Sequence, residues 1–170
     1  IAVSETNRTL TPHTGALFRL LILTGARLRE IMHAKWEWVD FKRGTLTLPD
    51  SKTGGKVIYL SSHALAILQD LPRYEDNPYI IAGKKSGQPL NSARKQWLRI
   101  CEQAGLENVR IHDLRHSFAS LAVLSGVPLY HVGKALGHRQ STTTEKYAHL
   151  GDDPVRQVSE MIGEAIESKQ

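Results

Sequence analysis

The spacing of apolar positions changes along the chain, and each change marks an element. In TPHTGALFRLLILTGA, Leu17, Leu20, Leu21 and Leu23 gather on one side of a 3.6-residue repeat. That pattern predicts a helix over about residues 11–24, ended by Gly25. RLREIMHAKW reads as a second helix. The period then shortens. WEWVDF, GTLTLPD and KVIYLS are brief, rich in β-branched and aromatic residues, and divided by Gly-containing turns, which predicts a small antiparallel sheet. SSHALAILQDL resumes the helical period, with Ser61 or Ser62 as N-cap. RYEDNPYIIAGKKSGQP follows as a loop with a short extended piece at residues 79–81.

In the second half, Asn91 is expected to cap a long helix that runs to Gln103 and ends near Gly105. Further helices are expected over residues 113–124, 128–136, 141–147 and 154–168. The last has a strong start signal in Asp153-Pro154, because proline at the first helical position forfeits no hydrogen bond. Leu114, Phe118 and Leu121 form the expected core stripe of the 113–124 helix, and Val155, Val158, Ile162 and Ala165 a narrow seam on the final one. The fold class is α+β, mainly α-helical with one small antiparallel β-sheet, and no internal repeat.

Composition narrows the function classes. A chain of 170 residues with 41% hydrophobic content supports one globular domain. Its net charge of +5 favours a polyanionic partner. The single Cys101 excludes a disulfide framework and fits a reducing compartment. ALFRLLILTGA, the most apolar run, is broken by Arg19 and is too short to span a bilayer, so no membrane role is expected. No stretch of the sequence reads as a signal peptide, and the missing initiator Met leads us to expect a piece of a longer protein.

Several segments carry candidate chemistry, and each has an ordinary alternative. In IHDLRHSFAS, His112 and Arg115 lie three apart and project side by side from a helix, on the shoulder of the core stripe. They suit a cleft wall, or a solvated edge with a salt bridge. His112 and His116 have the i, i+4 spacing of zinc ligands, but Arg115 between them opposes a cation and no third ligand is evident, so no metal is expected. In TGARLRE, Arg27 starts a helix and Glu30 is placed to orient it; a guanidinium there can grip two phosphate oxygens, or simply pair on the surface. In DSKTGGKVIYL, Lys52 and Lys56 flank a hairpin turn that either reaches over a ligand or only aids solubility. In LGHRQSTTTEKYAHL, His138 follows a helix end and Tyr147 comes nine residues later. A phenol with a pKa of about 10 needs positive surroundings or a base to act as nucleophile. Phosphoryl transfer, which needs mainly positioning and charge stabilisation, would use these cations without a metal or nucleotide.

TGARLRE, the SKTGGK hairpin, HDLRH, LGH and the downstream tyrosine, in this order, resemble the catalytic domain of tyrosine recombinases, the phage-integrase family. The resemblance spans nearly the whole chain and implies the DNA breaking-rejoining catalytic fold. It implies that Arg27 and Arg115 are the active-site arginines, and that His112 is the histidine preceding the second arginine. Lys52, in preference to Lys56, would be the general acid for the 5′ oxygen. His138 would occupy the position that is His or Trp in the family, Tyr147 would form the 3′-phosphotyrosine, and Glu30 would back the first arginine. The implied activity is site-specific recombination of double-stranded DNA attachment sites by four protomers, of the kind that integrates or excises a prophage or genomic island. No cofactor is implied, and accessory bending or directionality factors fit the same picture. A type IB topoisomerase and a non-catalytic DNA-binding domain are the alternative readings.

The same resemblance divides the chain. Residues 1–10 would be the linker from an N-terminal clamp domain, 11–151 the catalytic domain, and 152–170 a C-terminal helix docking on its own domain or on a neighbouring protomer. Lys84, Lys85, Arg94 and Lys95 are candidates for salt-dependent contacts with the DNA backbone.

Overall fold

A computed structural model describes residues 10–51, 54–138 and 142–150. The expected helix at 154–168, with its Val155–Val158–Ile162–Ala165 seam, lies outside the described residues, as do most of the linker and Lys52.

Helix α1 (Pro12–Thr24) forms where the leucine pattern predicts it. The Thr11 side chain accepts the Thr14 N–H at its start, and Pro12 occupies the first turn. Leu17, Phe18, Leu20 and Leu21 are fully or almost fully buried, each contributing about 1.5–3 kcal/mol of transfer free energy. Helix α2 is shorter than expected, only Leu28–Met32, and is followed by a 3₁₀ turn at Trp36–Trp38. Trp36 N–H leaves the helical pattern to donate to the carbonyl of Pro78, and Lys35 bridges Tyr79 in the extended piece expected there.

The sheet is antiparallel with strand order β1 (Val39–Asp40), β2 (Thr45–Ser51), β3 (Gly54–Tyr59). Pairing Leu46 with Ile58 puts both on the core face, while Val57 and Tyr59 face out. Helix α3 (Ser62–Asp70) begins at Ser61, whose hydroxyl accepts the Ala64 N–H. Helix α4 spans Arg94–Gln103 and starts after Ala93, not Asn91. The reason is local: Ala93 is buried, and the Ser92 hydroxyl accepts the Arg94 N–H.

Helices α5 (Asp113–Leu124), α6 (Leu129–Leu136) and the short α7 (Thr142–Glu145) complete the order, followed by a 3₁₀ turn at Ala148–Leu150. The core stripe of α5 is rotated from expectation. Leu114, Arg115, Ala119 and Val123 face inward, whereas Leu121 is 59% exposed. Burying Arg115 is what turns the helix, because its side chain reaches two carbonyls on other elements. On α4, Leu98 is exposed while Trp97 and Cys101 beside it are buried.

The core has two parts. The larger packs α1, α2, the sheet, α3 and α4. The smaller is formed by Ala119, Val123, Val132, Leu136 and Tyr147 from α5, α6 and the segment after α7. Where the two parts meet, the end of α1, α2, β3, α5 and the end of α6 converge, and there the candidate residues collect.

Candidate active site

Backbone geometry builds this junction first. Gly25 ends α1 with φ 61°, a left-handed conformation that glycine adopts without steric cost. A Cβ on it would lie 2.5 Å from a Phe118 ring carbon and 2.8 Å from Leu136 Cδ2, so the turn is pressed against both α5 and α6. The turn delivers Arg27 to the N-cap of α2 with Glu30 three residues on. Glu30 Oε2 accepts the Arg27 N–H at 2.8 Å, and Oε1 accepts Arg27 Nη1 at 2.8 Å. The Arg27 side chain stays 30% exposed over a carboxylate only 8% exposed, which leaves part of the guanidinium open to a ligand.

Lys56 enters from β3. Its ammonium donates to Glu30 Oε2 at 2.9 Å and to the Leu136 carbonyl at 3.4 Å, and its side chain is 6% exposed. Arg115 enters from α5, donating through Nη1 to the Gly25 carbonyl and through Nη2 to the Leu136 carbonyl at 2.8 Å. Leu136 is the last residue of α6, where main-chain carbonyls lack helical partners and carry partial negative charge. Two buried cations therefore meet one helix C-terminus.

His138 sits just past that end, its Nδ1 2.8 Å from the Thr144 hydroxyl. Burial, then the cations Arg115, Lys146, Arg27 and Lys56, push its pKa down to about 4, so it is neutral at physiological pH. His112 is exposed at the N-cap of α5 and is also held below the usual histidine range, by desolvation and then by Arg115 and Lys146. Burial lowers the Lys56 ammonium against the opposing pull of Glu30. For Glu30, burial pushes the carboxyl up, but the Arg27 N–H and the Lys56 ammonium outweigh it and the net shift is downward. The result is an ion cluster of Arg27, Lys56 and Arg115 against Glu30, with neutral imidazoles at its edge.

Tyr147 is 6% exposed and its ring packs in the smaller core. Its hydroxyl nevertheless meets His116 Nδ1 at 2.6 Å, and Lys146 lies 5.0 Å from its ring centroid. His116 and His112, the pair with zinc-ligand spacing, meet edge to face at 4.9 Å. Among the described residues no three His, Cys, Asp or Glu side chains converge as a metal-ligand set.

Of the residues singled out in the sequence, the structure brings Arg27, Glu30, His112, Arg115, His138 and Tyr147 into one region, while Lys52 lies outside the described residues. Lys84, Lys85, Arg94 and Lys95 are exposed and stand apart from the ion cluster. Sequence reasoning gives two members of the region other roles. It sets Lys56 second to Lys52, yet Lys56 is buried in the cluster; the signal is its alternation with Ile58 and Leu60, which puts all three on one strand face. It weighs His116 only as a metal ligand, and no sequence signal pairs that histidine with a residue 31 positions away.

Comparison with known proteins gives consistent matches. The model of the phage integrase family matches residues 1–153. The chain is 30% identical over 141 residues to prophage integrase IntF of Escherichia coli K12, covering 80% of this chain and 30% of that protein. It is 32% identical over 142 residues to tyrosine recombinase XerC of Xylella fastidiosa M23, covering 79% and 48%. Among solved structures, XerH site-specific recombinase bound to difH substrate superposes with a TM-score of 0.70 at 26% identity, over 88% of this chain and 46% of that one. The catalytic domain of bacteriophage HP1 integrase gives 0.65 at 23% identity, over 86% and 80%, a likeness of fold. The chain spans about half the length, or less, of the curated relatives it matches.

Proposed function

The chain belongs to the phage integrase family, and from that premise we propose that it is the catalytic domain of a site-specific DNA recombinase that cleaves and rejoins DNA through a phosphotyrosine. The observation that carries this reading is the placement of Arg27 and Arg115 with Tyr147 around the end of α6.

A transferring phosphoryl group gathers charge on its non-bridging oxygens, and preorganised donors stabilise that charge. Arg27 is held by Glu30 yet remains partly open, so it can grip one oxygen. Arg115 is locked by two carbonyls and adds charge without having to reorganise. If neutral His138 accepts the Thr144 proton on Nδ1, its Nε2–H is a donor for another oxygen, and His112 sits exposed at the rim in a similar role. Tyr147 Oη then attacks phosphorus to give a 3′-phosphotyrosine. The 5′ oxygen leaves with a proton from a cationic acid, the part assigned to Lys52, and a 5′ hydroxyl of another strand reverses the step. The ester keeps the bond energy, so the cycle consumes no nucleotide.

In this reading residues 11–151 are the catalytic unit, and 152–170 dock on their own domain or on a neighbour. Leu121, Leu124, Val127 and Tyr130, all exposed on α5, α6 and the turn between them, offer an apolar surface for assembly of four protomers. The substrate is a pair of duplex attachment sites on a mobile element and its bacterial host chromosome, met in the cytoplasm with or without bending factors. The test is covalent trapping: a nicked suicide duplex should yield a protein–DNA adduct that disappears in Tyr147→Phe. Relaxation of supercoiled plasmid without strand exchange would instead indicate a topoisomerase, and binding with no adduct a non-catalytic domain.

A further inference from the structure

We propose that His116 is the general base of the reaction, taking the proton of the Tyr147 hydroxyl directly onto its Nδ1. The inference rests on the reading of Tyr147 as nucleophile and adds the proton's destination.

Geometry carries it. The Nδ1–Oη distance of 2.6 Å is within the reach required for direct proton transfer. Among the described residues His116 is the hydrogen-bond partner of that hydroxyl. Helical rotation explains the division of labour. Successive residues on α5 are about 100° apart around its axis. Arg115 therefore points to the carbonyls of Gly25 and Leu136, while His116, next in sequence, points to the segment that carries Tyr147. His112 lies one turn earlier and meets the His116 ring edge to face at 4.9 Å, a second contact on that ring besides Tyr147.

The surroundings keep the base unprotonated. Burial comes first, then Lys146 and His112; together with Arg110 they outweigh Asp113 and hold His116 below the ordinary histidine range. An imidazole so placed is neutral at physiological pH, and its free Nδ1 lone pair is the acceptor. A phenol with a pKa of about 10 gives up its proton only with such help.

The step balances. The Oη–H bond breaks and the proton goes to Nδ1. An Oη electron pair forms the bond to phosphorus. The bond from phosphorus to the 5′ oxygen breaks with its pair on that oxygen, which takes a proton from the cationic acid. In the reverse step the imidazolium returns its proton to Tyr147.

The test uses a nicked suicide duplex recovered from a randomised pool by covalent capture on the unaltered protein. Single-turnover adduct formation should slow about 100-fold in both His116→Ala and His116→Gln. The slowing should persist on a duplex with sulfur in place of the 5′ bridging oxygen, because a thiolate leaves without needing an acid. The low-pH limb of the rate profile should vanish in His116→Ala, leaving a rate that climbs toward the phenol's own pKa. Unchanged rates, faster rates, or a defect erased by the sulfur substrate would overturn the proposal. Capture of DNA that Tyr147→Phe still cleaves, or no capture at all, would instead remove the nucleophile reading on which it rests. A measurement without DNA guards against variants that fail to fold. Imidazole ¹⁵N resonances should show His116 Nδ1 unprotonated and shifted by Tyr147→Phe, and a protonated Nδ1 at neutral pH sinks the base role.

Discussion

Arg115 and Lys56 donate to the same acceptor, the carbonyl oxygen of Leu136, at 2.8 and 3.4 Å. One arrives from α5 and the other from β3, so a single helix end ties the larger core to the smaller. The tie also anchors His138, which lies two residues beyond that carbonyl. Two like charges can share one oxygen because each has a further acceptor: the Gly25 carbonyl for Arg115 and the Glu30 carboxylate for Lys56.

Removing Lys56 should therefore cost stability as well as activity. Lys56→Met leaves Glu30 buried with Arg27 as its remaining partner. Breaking a buried pair in this way costs about 3–5 kcal/mol, with the low end expected here because Arg27 stays. Urea unfolding should show a lower midpoint with an unchanged slope. The double variant Lys56→Met/Glu30→Gln should lose less than the sum of the two singles. Strict additivity would mean that the pair is not coupled.

The contrast between Lys52 and Lys56 shows how far sequence alone could go. Helix α1, the three strands and α5 were legible because their periodicity is strong, and motif order along the chain singled out Arg27, Arg115 and Tyr147 as candidates. The rotation of α5 was not legible. A buried arginine overrides an apolar stripe only when distant carbonyls are in place to receive it, and those belong to Gly25 and Leu136, 90 and 21 residues away. The shortened α2 has the same cause, since Trp36 N–H leaves the helix for the Pro78 carbonyl, a contact between segments far apart in sequence. Lys56 was half legible: its strand face was readable, its counter-ion was not.

Stability should fall as the solution is acidified from about pH 6.5 toward 4. The folded pKa of His138, about 4, lies below its unfolded value of 6.5. The folded state then binds fewer protons than the unfolded state in that window, so stability present above pH 6.5 is lost as pH drops. His13, His112 and His116 act in the same direction. Urea midpoints measured every half pH unit should flatten in His138→Gln relative to the parent. Parallel curves would remove His138 from the effect.

Gly25→Ala should be among the most damaging single-methyl changes. A left-handed backbone costs a non-glycine residue about 1–2 kcal/mol. The added Cβ would also meet Phe118 at 2.5 Å and Leu136 at 2.8 Å, and forcing a packed core apart costs about 1–3 kcal/mol more. Because the Gly25 carbonyl holds Arg115, adduct formation should drop even at temperatures where the variant is folded. Thermal unfolding and single-turnover trapping at low temperature separate the two effects. A variant with parental melting temperature and rate would show that the turn relaxes freely.

The exposed basic residues away from the cluster make a prediction that depends on salt rather than on catalysis. Lys84 and Lys85 occupy the loop between Ala82 and Pro89, which bridge each other, and Arg94 and Lys95 open α4. All four are exposed, so removing one alters charge with little effect on packing. A lysine that neutralises a phosphate displaces a counterion, and its loss lowers the slope of log affinity against log salt by about 0.9. Titrations of a duplex of arbitrary sequence between 50 and 200 mM salt, at roughly the range over which such slopes are steep, should show that reduction for each alanine variant that contacts DNA. Tyr147→Phe should keep the parental slope, because the substitution leaves every basic side chain in place. A variant whose slope and affinity both stay parental identifies its residue as part of a solvated face.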